Sequence, residues 1–233
     1  KKVIKLASNE NPSGPSCKAL IAGKKILNSI NRYPDSKSVK LRKIIKTYLS
    51  KSYITTDNIM IGNGSNEILE FIARQYLNEK SEVLFCKHSF LVYKIISRNM
   101  RARIIESKPI MKPGLEHLSI DLDDMRSRVT NKTSVIFIAN PSNPTGTALN
   151  INKITKFIES LPKRIIIVID EAYYEYSVFQ GLKSAINLLK IYPNLIITRS
   201  FSKIHALAGS RIGYGIASKK IVNNFNDYRQ PFN

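Results

Sequence analysis

Short apolar runs alternate along the chain with longer stretches in which apolar residues recur every three or four positions. The runs Asn58–Ile61, Glu82–Phe85, Arg103–Glu106, Ser134–Ile138, Ile165–Ile169, Leu195–Thr198 and Ile212–Ile216 read as strands. Several are Ile- and Val-rich and apolar throughout, the pattern of strands covered on both faces. A strand-like segment, Val3–Leu6, precedes them. The helical period appears in Lys37–Leu49, Glu67–Leu77, Phe90–Asn99, Leu122–Val129, Ile151–Ser160 and Ala185–Lys190. This alternation predicts an α/β fold: a mostly parallel sheet with helices packed on both sides. Such folds bind ligands at the carboxyl ends of their strands. The residues just after each strand therefore hold the functional information.

Composition changes this picture little. The 233 residues are 43% hydrophobic and 23% charged, enough for one large domain with a real core. No apolar run approaches the length that spans a bilayer, and no signal peptide is visible at the start. Cys17 and Cys86 stand far apart, and the three histidines have no short spacing to them, so neither a disulfide framework nor a zinc site is expected. A reducing cytoplasm is the simplest compartment. The formal net charge of +20 is the one unusual feature. It admits a basic nucleic-acid-binding module, but the lysines are spread along the chain, with no arginine-rich arm and no aromatic RNA-binding pattern. General charge bias fits better, and neither a nucleic-acid nor a membrane partner is expected.

Four strand ends carry chemistry. Gly62-Asn63-Gly64-Ser65-Asn66-Glu67 joins a strand to a helix start, where backbone N–H groups and the helix dipole favour an anion. Ser65 and Asn66 could equally be ordinary N-caps. Asn140-Pro141-Ser142-Asn143-Pro144-Thr145-Gly146-Thr147 is dense in turn formers and holds Asn143 between two prolines. It could also be a plain loop. Asp170-Glu171-Ala172-Tyr173 puts a carboxylate at the end of a buried strand, where it needs a partner. A structural ion pair would serve as well as a ligand. Arg199-Ser200-Phe201-Ser202-Lys203, with Arg211 beyond Gly209, gathers hydroxyls and cations suited to a phosphorylated ligand, although a lone lysine is usually only solvated.

Taken in order, these sites are far more specific than any one of them. With Asn9-Glu10-Asn11-Pro12, Arg32-Tyr33-Pro34-Asp35 and Leu207-Ala208-Gly209-Ser210-Arg211-Ile212-Gly213-Tyr214, the chain resembles the fold-type I pyridoxal-phosphate enzymes over essentially its whole length. Within them it is most similar to the histidinol-phosphate aminotransferase family. The resemblance implies a three-layer α/β/α large domain with a mostly parallel mixed sheet over residues 37–233, preceded by an N-terminal arm, 1–36. It implies pyridoxal 5'-phosphate as cofactor. Lys203 would form the covalent link to the cofactor aldehyde and later move the substrate proton. Asp170 would pair with the ring nitrogen, Asn143 and Tyr173 would bond the ring hydroxyl, and Phe90 would stack on the ring. Ser65 and Asn66, beside Gly64, would hold the cofactor phosphate with Ser200, Ser202 and Arg211. Tyr33 would reach the phosphate of the neighbouring subunit in a homodimer, and Asn9 would lie near the substrate.

Departures from the family pattern are local. Asn66 stands where Asp is common, Lys87-His88 replaces a more proline-rich approach to Phe90, and His205 follows Lys203 at a variable position. The chain reaches Arg229-Gln230-Pro231-Phe232-Asn233, a motif that in the family leads into a small C-terminal domain bearing the substrate-carboxylate arginine. The chain thus reads as a fragment of a longer protein. The implied reaction is amino transfer from a phosphorylated amino donor to a 2-oxo acid, as in histidine biosynthesis. Threonine-phosphate decarboxylase and aromatic amino-acid aminotransferase share most of these cofactor residues and stay open.

Overall fold

The computed structural model describes residues 4, 5 and 7–232. A seven-stranded sheet forms its centre: β1 (Ile59–Asn63), β2 (Glu82–Cys86), β3 (Arg103–Ser107), β4 (Thr133–Ala139), β5 (Ile166–Asp170), β6 (Leu195–Ser200) and β7 (Ile212–Ile216), in the order β1-β7-β6-β5-β4-β2-β3. β7 is antiparallel to both neighbours, and the other six strands run the same way. This is the mixed, mostly parallel sheet expected.

The described residues also form eight α-helices: α1 (Cys17–Ile26), α2 (Val39–Leu49), α3 (Gly64–Tyr76), α4 (Leu91–Asn99), α5 (Leu122–Ser127), α6 (Ile151–Glu159), α7 (Tyr174–Val178) and α8 (Lys219–Tyr228). The alternation of side chains along each strand divides the core into two layers. Ile136, Ile138, Ile167 and Ile169 pack with α2 and α6 on one face. Val135, Phe137, Ile166 and Val168 pack with α3, α4 and α8 on the other. Two-sided cover explains why β4 and β5 read as unbroken apolar runs.

Several expectations need correction. Strands β1 to β6 continue one or two residues past their expected ends, to Asn63, Cys86, Ser107, Ala139, Asp170 and Ser200. Backbone pairing carries them on: Asn63 pairs with Ile212, and Ser200 with Gly213. The helix expected from Glu67 starts at Gly64, leaving no separate turn. Ala185–Lys190 is a 3-10 helix instead of an α-helix. Ile4 and Lys5 are not in a strand; Val3 and Leu6 lie outside the described residues. Helices α1, α7 and α8 have no counterpart in the expected set. α8 has a plain apolar face of Ile221, Val222 and Phe225, whereas α1 buries no residue and so has no inward stripe to read.

One close approach fixes the functional edge. A Cβ on Gly213 would overlap the Ser65 amide nitrogen and the Gly64 carbonyl carbon. Backbone cannot yield there as a flexible side chain can. Gly213→Ala should cost about 1–3 kcal/mol, the usual penalty for overpacking. Urea denaturation of the wild type and variant measures it; an unchanged midpoint would contradict this packing.

Candidate functional site

The strand directions bring the separate motifs to one edge. The carboxyl ends of β1, β4, β5 and β6 lie there, together with the amino end of antiparallel β7 and hence Arg211. Along this edge, sheet order sets donors from β1, β7 and β6 beside the carboxylate of β5 and the Asn-Pro loop after β4.

A cavity of about 500 Å³ opens at this edge. Of the residues expected from sequence, Ser65, Asn66, Ser200, Ser202 and Arg211 line it, as do Asn143, Asp170, Tyr173 and Phe90. Lys203 and Asn9 complete the group. Gly64 lies just behind the wall: its N–H donates to the Arg211 carbonyl at 2.9 Å, and a Cβ there would overlap the Arg211 guanidinium. Tyr33 stands apart, 80% exposed, with its ring stacked on Phe232 at 4.5 Å.

Asp170 and Glu171 show how adjacent carboxylates can serve different ends. Asp170 is buried and accepts from Tyr93 Oη at 2.9 Å, Thr198 Oγ1 at 2.9 Å and the Ala172 N–H at 3.3 Å. All three donors are neutral. Burial, aided by the neighbouring Glu171 charge, raises the Asp170 pKa, although the three hydrogen bonds pull it down. A cation entering the cavity would supply the missing compensation. Glu171 already has one. Arg199 donates to its Oε2 at 2.8 and 3.0 Å, and Ser184 and the Ala185 N–H also donate to this carboxylate. The guanidinium lies 4.4 Å from the Tyr174 ring centroid. Burial opposes the Arg199 charge, but Glu171 outweighs it and holds the arginine pKa above its usual value. Burial also pushes neighbouring Tyr214 up to about 12. Breaking the Glu171–Arg199 pair should be costly: Glu171→Ala is expected to lose about 3–5 kcal/mol of stability, because it strands a buried guanidinium. Thermal unfolding checks this, and a loss below about 1 kcal/mol would contradict it.

The segment before α1 reaches the cavity through Asn9. Ser8 and Asn9 are both left-handed, with φ of 71° and 49°. Their carbonyls accept from Lys203 Nζ at 2.9 and 3.3 Å. Asn9 Nδ2 donates to Tyr173 Oη at 3.0 Å, and Lys203 Nζ lies 5.4 Å from the Tyr173 ring centroid. In the Asn-Pro loop, the Asn140 amide accepts from the Leu149 N–H at 2.7 Å and donates to the Leu149 carbonyl at 3.1 Å. Asn140 closes the loop, while Asn143 faces the cavity.

The sequence model of the family described as aminotransferase class I and II matches residues 1–233. The chain belongs to the class I and II aminotransferase family.

Among curated aminotransferases, histidinol-phosphate aminotransferase 1 of Idiomarina loihiensis is 41% identical over 231 residues, covering 99% of this chain and 60% of the relative. Histidinol-phosphate aminotransferase 2 of Pasteurella multocida is 38% identical over 231 residues, covering 99% and 61%. The chain thus spans about 60% of the length of these relatives. The crystal structure of histidinol-phosphate aminotransferase from Sinorhizobium meliloti in complex with pyridoxal-5'-phosphate superposes with a TM-score of 0.87 at 26% identity, covering 97% of this chain and 59% of that one. The Clostridium acetobutylicum histidinol-phosphate aminotransferase gives 0.85 at 27% identity, covering 99% and 66%.

Two residues of this family member that hold the site, Thr198 and Tyr93, are absent from the candidate residues of the sequence analysis. Thr198 lies inside a buried apolar strand, and Tyr93 lies on the apolar face of α4. Both look like core, and only the fold turns their hydroxyls onto Asp170. Gly64, with φ +73° and the Arg211 guanidinium where a Cβ would stand, predicts a further effect. Gly64→Ala should be strained by about 1–2 kcal/mol and should displace Arg211, weakening retention of a phosphorylated ligand. Equilibrium dialysis of the full-length variant tests this; unchanged retention would contradict it.

Proposed function

We propose that the protein carrying this chain is a pyridoxal-phosphate-dependent aminotransferase acting on a phosphorylated amino donor, histidinol phosphate, with 2-oxoglutarate as acceptor. The observation that carries this reading is the donor set of the cavity. A buried carboxylate with only neutral partners, a lysine, an aromatic face and a cluster of hydroxyls with an arginine line one space. A flat cationic heterocycle bearing a phosphate and an aldehyde matches that set. Residues 37–233 act as the cofactor-binding domain, with 1–36 as an arm.

Bound pyridoxal phosphate supplies an electron sink for the charge left when the substrate α-carbon loses its proton. The chain's own groups do the rest. Lys203 Nζ holds the cofactor aldehyde and later moves that proton. Asp170 keeps a proton on the ring nitrogen. Asn143 and Tyr173 orient the ring hydroxyl, and Phe90 covers one ring face. The N–H groups at the start of α3, with Ser65, Asn66, Ser200, Ser202 and Arg211, hold the phosphate. Asn9 sits beside Tyr173 Oη, where an amino substrate would approach. The protein acts as a homodimer, with exposed Tyr33 offered to the partner's phosphate site.

The 38–41% identity to named histidinol-phosphate aminotransferases favours transamination over decarboxylation of a phosphorylated amino acid. Product analysis of the full-length protein distinguishes them. Glutamate should form from 2-oxoglutarate and histidinol phosphate. Carbon dioxide release from threonine phosphate, without glutamate, would overturn the assignment.

A further inference from the structure

Tyr93 is a fully buried side chain on α4 with a polar tip, and it touches two walls of the cavity. Its hydroxyl donates to Asp170 Oδ2 at 2.9 Å. Its ring lies on Phe137 with centroids 4.8 Å apart and planes at 7°. Its edge meets Phe90 at 5.8 Å and 88°. The side chain is therefore clamped, and so is the direction of its hydroxyl.

A carboxylate offers about four acceptor sites. Thr198 Oγ1 and the Ala172 N–H occupy Oδ1, and Tyr93 occupies one site on Oδ2. The remaining site belongs to Oδ2, the oxygen that Tyr93 holds. We infer that Tyr93 is a positioning residue, whose hydroxyl fixes Asp170 Oδ2 so that its free acceptor site meets the protonated ring nitrogen of the cofactor, and whose ring backs Phe90. This inference rests on the reading of the cavity as a pyridoxal-phosphate site. The other ionisable groups around Asp170 are Glu171, held by Arg199, and Glu10, paired with Lys5, with Lys203, Tyr173 and Arg211 in the cavity wall. Among these groups, Tyr93 alone donates a side-chain hydrogen bond to Asp170.

Tyr93→Phe in the full-length holoenzyme keeps the ring and removes the hydroxyl. Without that donor the carboxylate becomes more basic and draws the proton away from the ring nitrogen. The nitrogen then withdraws less charge from the chromophore. The pH midpoint of the bound cofactor's visible absorbance should rise by about one unit. The kcat should fall about tenfold or more, the scale of one hydrogen bond to a charged group, with KM for the amino donor within about twofold. If Y93F does not fold, 3-fluorotyrosine placed at position 93 keeps ring and donor. Its stronger hydroxyl donor should move the midpoint downward. Ser97→Ala, which removes the bond from Ser97 Oγ to the Tyr93 carbonyl, should leave the midpoint in place. A Y93F holoenzyme with unmoved midpoint and kcat would overturn the inference, even if its melting temperature fell. A wild type that takes up no pyridoxal phosphate would instead overturn the reading of the site itself.

Discussion

A Lys203→Ala variant of the full-length protein is expected to lose at least about 10⁴-fold in kcat for amino transfer. The expected loss follows from placement. Lys203 comes three residues after β6, and its Nζ enters a cavity shared with Asp170, Tyr173 and Arg211. A positioned general base alone contributes about 10²–10⁴-fold, and the covalent hold on the cofactor is lost with it. Folding should survive. The side chain is only partly buried, and its two bonds go to the Ser8 and Asn9 carbonyls. The variant should therefore keep its melting temperature within a few degrees. A small primary amine added to the assay should restore part of the rate. Steady-state kinetics on the reconstituted variant makes the test, and a kcat within tenfold of wild type would contradict the assignment.

The second large effect concerns Asp170. Breaking a buried charge pair costs about 3–5 kcal/mol. Expressed in the transition state, that cost is about 10²–10⁴ in rate. Asp170→Ala should lower kcat by this amount, because the ring nitrogen would no longer hold its proton. Asp170→Glu should not rescue it, since the longer arm would leave the Tyr93 and Thr198 hydroxyls behind. The pKa direction adds a pH test. Burial raises the Asp170 pKa above its ordinary value of 3.8 in the unloaded protein. Its ionised form must be present to pair with a cationic ring, so cofactor affinity should fall as pH drops through that raised value. The same group sets a stability trend with the opposite sense. A raised native pKa favours the folded, unloaded protein at low pH, and that contribution is lost as pH rises through it. Isothermal titration across the acid range should give an affinity that declines toward low pH in the wild type. In Asp170→Ala, affinity should be weak and flat. Equal affinity and slope in both proteins would contradict the pairing.

The legibility of this chain differs by feature. Strands β4 and β5 were plain because they are covered on both faces, so composition alone marks them. The last residues of β1, β5 and β6 were not. Asn63, Asp170 and Ser200 continue strands through backbone pairing, which no apolar pattern records. Much of the cavity set was legible because it lies at or just after strand ends, where residues such as Ser202, Lys203 and Asn143 stand out from an apolar background. The residues that hold the set were hidden for the converse reason. Tyr93 and Thr198 sit at positions that packing would fill with any apolar residue of similar size. The split between Asp170 and Glu171 was also beyond the sequence. Adjacent strand-end carboxylates diverge because Arg199, on the neighbouring strand, faces only one of them. Helix α1 stayed unread because its apolar residues Leu20, Ile21 and Ile26 are exposed and form no inward stripe among the described residues.

The central claim is that Lys203 carries the cofactor, and one measurement meets it directly. The full-length protein is reconstituted with pyridoxal phosphate, reduced with borohydride, digested and sequenced by mass spectrometry. The account predicts a visible absorbance that disappears on reduction and a pyridoxyl group on Lys203. A folded, reconstituted protein labelled on another lysine, with Lys203 unmodified, would contradict it.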